Sequence, residues 1–178
     1  VLALLQSALP IDLARGGISR PPINEGLTGG LIAIHLGLLV IIQWPIGRYI
    51  ANRNLKFGLK LSILSLSLGC ALIGISSLYE QGLVIALISQ LPFAVGLASF
   101  LPTATESIIQ STPEERRGIA MALFSQCFAI SYFTAPLISG TVLDNQGNGF
   151  GLWICISLTC LLMLPLITKI RVKGSTFS

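Results

Sequence analysis

Five long windows of the chain carry no charged side chain: residues 26–47, 61–79, 81–105, 118–143 and 145–168. Each holds at least the ~18 residues that an apolar helix needs to cross a bilayer, and the breaks between them are short. The pattern predicts five transmembrane helices over those windows, with consecutive helices antiparallel. Residues 1–11 form a sixth, shorter apolar run. It is closed by Asp12, Arg15 and residues 16–22, whose glycines and prolines cannot continue a helix. The run starts on Val with no basic leader or cleavage site, so it reads as the truncated end of a first helix, in a fragment whose N-terminal part is missing. The expected fold is an all-α transmembrane six-helix bundle.

Composition narrows the class further. Hydrophobic residues make up 53% of the chain and charged residues 10%, against about 25% charged in soluble domains, which is too little for a water-facing surface. The net charge of +4 does not point to nucleic acid, because the cations sit in short clusters at span ends rather than along a groove-sized face. Arg48, Arg53, Lys56 and Lys60, then Arg116 and Arg117, then Lys169, Arg171 and Lys173 fall on one side, and only Arg15 and Arg20 on the other. Cations are favoured on the cytoplasmic side, so the crowded side and the C-terminus are expected to be cytoplasmic, in an inner or plasma membrane. Residues 43–60 read as a tight basic loop, with Trp44 and Tyr49 at the headgroup level. Cys70, Cys127, Cys155 and Cys160 are scattered, and a single His accompanies them, so no metal site is expected.

A weak internal repeat is visible at an offset of 91 residues: Pro22 matches Pro113, Pro45 matches Pro136 and Gly58 matches Gly149. That offset equals three spans, and an odd number of crossings inverts the second copy. The boundary would fall between 1–79 and 80–178.

Three motifs carry a resemblance to a known family. Pro45-Ile46-Gly47-Arg48 followed by Asn52-Arg53 resembles the Gly-x-x-x-Asp-Arg loop signature of the major facilitator superfamily, with Ala51 or Asn52 where the acid would stand. Residues 112–118, Thr-Pro-Glu-Glu-Arg-Arg-Gly, resemble the loop entering the eleventh helix. Ala135-Pro136-Leu137-Ile138-Ser139-Gly140 resembles the Gly-Pro-x-x-Gly-Gly element of the superfamily's drug/proton antiporters, with Ala135 and Ser139 replacing two of its glycines. The resemblance implies helices seven to twelve of a twelve-helix fold. It also implies gating or helix-interface roles for Gly47, Arg48, Asn52, Arg53, Arg116, Arg117, Pro136 and Gly140.

Helical periodicity places the polar residues of the spans on faces. Ser125, Tyr132 and Ser139 share a stripe that is either a substrate-facing wall or small-residue packing. Gly96, Ser99, Thr103 and Glu106 share another, and the resemblance sets that helix against the central cavity. Glu106 is then a proton or cation ligand, or an interfacial acid paired with Arg116, Arg117 or Arg48. His35, with Thr28 on its face and Gln43 to one side, is either a proton relay or a packed, hydrogen-bonded group. Asp12 is either a proton-coupling acid or the partner of Arg15, one turn away. The windows 61–79 and 145–168 hold no charge and read as scaffolding.

The expected function is secondary transport of a small molecule by alternating access. Coupling to protons is expected, efflux is preferred over uptake on the 135–140 element, and no cofactor is needed beyond the proton gradient. The partners are the bilayer, the substrate and the missing N-terminal half. A membrane-embedded enzyme is disfavoured, since no Gly-x-Ser-x-Gly, paired membrane aspartates or His-Glu-x-x-His occurs. A non-transporting receptor on the same fold stays open.

Overall fold

The computed structural model describes residues 1–169, so Arg171 and Lys173 of the expected cytoplasmic cluster lie outside the described residues. Six α-helices make up nearly all of it: α1 Leu2–Arg15, α2 Glu25–Ala51, α3 Leu55–Ser76, α4 Gly82–Ser111, α5 Arg117–Gln146 and α6 Phe150–Lys169. The last five are long and apolar enough to cross a membrane.

Helices α2 and α5 overrun their apolar windows at both ends and α4 runs six residues past its own, whereas α3 starts six residues early and stops three short, and α6 starts five residues inside its window. Helical hydrogen bonding stops where caps stop it, and not where charge begins. Asn24 accepts from the Leu27 amide (2.8 Å) to open α2, and Asn54 accepts from the Lys56 amide (3.0 Å) to open α3. At the far end of α5, Gly147 takes the left-handed conformation that favours glycine (φ 70°). The basic segment 43–60 is therefore not the loop expected. Its break is confined to residues 52–54, with Arg48 on the last turn of α2 and Lys56 and Lys60 on the first turns of α3.

Helices α3 and α4 form the most extensive pair, α6 packs on the other side of α3, α2 lies along α4, and α5 is held chiefly by α1. Between helices in lipid, close packing of small residues replaces the hydrophobic drive that operates in water. The α3/α4 seam is built this way. A Cβ added at Gly69 would strike the Phe93 ring, one at Gly96 would come 2.7 Å from Leu66 Cγ, and one at Gly58 would meet Thr103. Neither α3 nor α6 is lipid-facing all round: α3 exposes Leu64, Leu68 and Ile75 but buries Ser62, Leu66, Gly69, Cys70 and Ile73, and α6 buries Leu152 and Trp153.

The seam yields a test of glycine packing. Gly96→Ala should lower the unfolding free energy by about 1–3 kcal/mol through overpacking. Gly37→Ala, where nothing lies within 4 Å, should be neutral or slightly stabilising. Unfolding of the full-length protein in mixed detergent micelles reads the difference.

Candidate functional site

Two places in the bundle concentrate chemistry. The first is a buried ion pair at the end of the bundle opposite the basic turn. Gly16 (φ 90°) ends α1, and residues 17–23 fold back onto the end of α3. The Ile18 amide donates to Ser77 Oγ (3.0 Å), the Ser19 amide to the Ser77 carbonyl (2.9 Å) and the Ile23 amide to the Leu13 carbonyl (2.9 Å). This path carries Arg20 inward. Its guanidinium donates to Asp12 Oδ2 (3.0 Å), to the Asp12 carbonyl (3.0 Å) and to Ser76 Oγ (2.6 Å). Trp153 Nε1 of α6 adds a bond to Asp12 Oδ2 (3.2 Å). Both ionic side chains are fully buried. Arg15, the partner expected for Asp12, instead pairs with Asp144 at the end of α5, because Asp12 faces the core and Arg15 the surface.

The second place is a cleft of about 290 Å³ between α1, α4 and α5. Its wall is aromatic: Phe100 lies 6.5 Å from Phe124, which stands edge-to-face on Phe128 at 5.0 Å, with Tyr132 one turn further along α5. Leu2, Ala3, Leu66 and Leu97 complete the apolar lining, and Cys127 and Ser131 supply polar atoms beside Tyr132. The arrangement can take an apolar or aromatic body and offer it the Tyr132 hydroxyl.

The residues singled out by sequence separate accordingly. Tyr132 lines the cleft, Ser125 is exposed elsewhere on α5, and Ser139 is buried with its hydroxyl donating to the Pro136 carbonyl (3.4 Å). Helix α4 does border the cleft, but through Leu97 and Phe100, while Gly96 and Thr103 face α3. Ser99 and Thr103 spend their hydroxyls on the Val95 and Ser99 carbonyls (2.7 Å each). Glu106 is exposed and accepts from Gln110 (2.8 Å) instead of meeting Arg116, Arg117 or Arg48. His35 is buried in α2, edge-on to Phe93 of α4 (6.4 Å), with Thr28 also buried and Gln43 exposed.

Among the gating candidates, Arg48 lies over the Trp44 ring (5.1 Å), and Arg53 over Tyr49 (5.4 Å) and Phe57 (5.9 Å). Asn52 caps α2 and bonds the Arg48 carbonyl (3.4 Å). Arg117 pairs with Glu114 (3.3 Å), and Arg116 is the residue before α5. A methyl group added at Gly47 or Gly140 would meet nothing within 4 Å, and Pro136 is exposed within a continuous α5. Phe100, Phe124 and Phe128 are not among the residues that polar periodicity singles out. The spacing of Phe124, Phe128 and Tyr132, four apart each time, is the signal in the sequence that marks them.

The profile of the Major Facilitator Superfamily matches residues 2–177. The chain belongs to that superfamily. It is an integral multi-pass membrane protein of a transporter superfamily, and five spanning helices agree with a partial bundle of the superfamily's fold. Comparisons with curated proteins and with solved structures give no match. Membership accounts for the length of the helices and for their apolar, lipid-facing surfaces. It leaves the ion pair and the cleft to be explained by this chain's own residues.

Removing one partner from a buried pair leaves the other charge uncompensated. Arg20→Gln or Asp12→Asn alone should cost about 3–5 kcal/mol, and the double substitution clearly less than the sum. Arg15→Gln should cost under about 1 kcal/mol, because that pair is solvent-exposed. Thermal unfolding of the purified full-length protein in detergent checks all four.

Proposed function

We propose that the chain is the C-terminal six-helix half of a twelve-helix secondary transporter, and that it exports a small amphipathic molecule by alternating access, driven by protons. Two inverted three-helix repeats, 1–79 and 80–178, would build this half. Support comes from the α3/α6 contact. Ser67 Oγ donates to the Ser157 carbonyl (3.0 Å) and Ser157 Oγ to the Ser67 carbonyl (2.9 Å), across 90 residues of sequence. Reciprocal bonds are what a two-fold axis between equivalent residues produces, and the separation is one residue short of the sequence offset. Exchanging first for fourth and second for fifth helices also converts the α2/α4 packing into the α1/α5 packing.

The observation that carries the transport reading is the aromatic cleft. It is a concave apolar site with a few polar atoms, the usual form of a small-molecule site, and the N-terminal half of the transporter would close it. The substrate it fits has an aromatic or alkyl body and one hydrogen-bonding group. His35 is the favoured proton carrier: it is embedded mid-helix, whereas Asp12 is held by Arg20 and Glu106 sits at a helix end. The orientation follows from the cations. With Arg20 buried in its pair, the non-cytoplasmic end keeps only Arg15, itself paired, against the arginines and lysines of the opposite end. The membrane is the plasma or inner membrane, with the C-terminus cytoplasmic.

The test is flux of a fluorescent amphipathic dye in vesicles holding the full-length protein under an imposed pH gradient. Phe128→Ala and Tyr132→Ala should each raise the half-saturating concentration about ten-fold. His35→Ala should abolish accumulation driven by the gradient while leaving downhill flux. Flux indifferent to the pH gradient and to both cleft substitutions would overturn the reading. A cysteine placed at Asn54 should react with a membrane-impermeant reagent only from the cytoplasmic side, and labelling from outside intact cells would reverse the orientation.

A further inference from the structure

The turn between α2 and α3 has a composition that the chemistry of the cleft does not use. No acidic residue occurs in residues 26–79, while Arg48, Arg53, Lys56 and Lys60 gather within that one turn and its flanks. Among the described residues, the two arginines are not spent on carboxylates. Each guanidinium lies on an aromatic face, Arg48 on Trp44 at 5.1 Å and Arg53 on Tyr49 at 5.4 Å and Phe57 at 5.9 Å. A guanidinium held over an aromatic ring keeps N–H donors for a second partner, and its planar fork matches phosphate oxygens. The acids at this end of the bundle belong to other elements. Glu106 is bonded by Gln110 and Glu114 by Arg117, with Glu115 beside it in the α4–α5 connection.

The rings themselves are exposed: Trp44 at 69%, Tyr49 at 49% and Phe57 at 38%. Ile41, Trp44 and Arg48 follow one another at helical spacing, so an apolar strip of α2, with Val40 beside it, leads directly to the cation. A ligand for this surface needs an anionic head on the arginines and a hydrocarbon body along α2. We infer that the Arg48–Arg53 turn binds an anionic phospholipid, with the headgroup phosphate between the two guanidinium groups and an acyl chain against Trp44, Ile41 and Val40. Basic clusters at the end of a membrane span attract anionic headgroups in this way. The aromatic rings set where the headgroup sits, because Trp and Tyr prefer that depth.

Native mass spectrometry of the detergent-purified full-length protein, titrated with phosphatidylglycerol and separately with phosphatidylcholine, tests the site. The expected result is retention of the anionic lipid in preference to the zwitterionic one. Arg48→Gln with Arg53→Gln should cut anionic retention about ten-fold or more and leave phosphatidylcholine unchanged. Trp44→Leu with Phe57→Leu keeps every charge, and should lower retention too by removing the ring supports and the chain contact. Equal retention of the two lipids overturns the inference, as does retention that survives both double substitutions. Displacement by millimolar inorganic phosphate also overturns it, since the ligand would then be a soluble anion.

Discussion

One buried ion pair ties four parts of the bundle together. Asp12 and Arg20 are both out of solvent, at the point where α1, the returning loop, the end of α3 and the start of α6 converge. Taking two charges out of water is costly, and the cost is met only when geometry and further hydrogen bonds satisfy both groups. Here Arg20 has three acceptors and Asp12 Oδ2 has two donors, which offsets the cost in part, while Asp12 Oδ1 and Arg20 Nε make no hydrogen bond. Gly82 and Gly149 let the chain approach closely enough, because a methyl group at either would overlap Ser76 and Arg20 or Asp12. The network joins α1 to α3 and α6, which share little direct packing with it, and leaves α1 free to pair with α5 along its other side.

From that anchor the packing divides in two. Helices α3, α4 and α6 form a tight slab joined by glycines, by buried serines and by the Ser67–Ser157 exchange. Helices α2 and α5 are peripheral. Only 17% of the apolar window of α2 and 6% of that of α5 is buried, and α5 touches α4 lightly. The aromatic cleft opens where α5 stands away from α4, so the site lies at the boundary between the rigid slab and the loosely held helix. That is where a motion of one element against another meets least resistance.

The same rules shape the α2–α3 turn and the cleft, with opposite results. In the cleft, aromatic rings face one another and a single phenol, so the chemistry is apolar with one polar contact. At the turn, rings of the same kind lie under guanidinium groups, so the chemistry is cationic. What differs is the neighbourhood: a half-buried ring between helices meets other rings, and a ring beside the charged turn meets its cations.

The charge-free windows alone determined the class, the number of long helices and their approximate positions, because lipid requires each spanning segment to satisfy its own backbone and exclude charge. Motifs at Gly47–Arg48, 112–118 and 135–140 were enough to name the superfamily that the profile match then assigned. Local spacing along α1 misled where the competing partner lies off that helix. Asp12 chose Arg20 over Arg15, and Arg15 chose Asp144, 129 residues away, because the side of α1 on which each lies is decided by packing. The Ser99–Thr103 stripe read as a cavity wall and is a seam, since a polar stripe of small residues suits both and only the position of α3 separates them. The cleft needed the tertiary structure for the same reason. Phe100 comes to Phe124 and Phe128 from another helix, and no periodicity within one helix records which neighbour its face will meet.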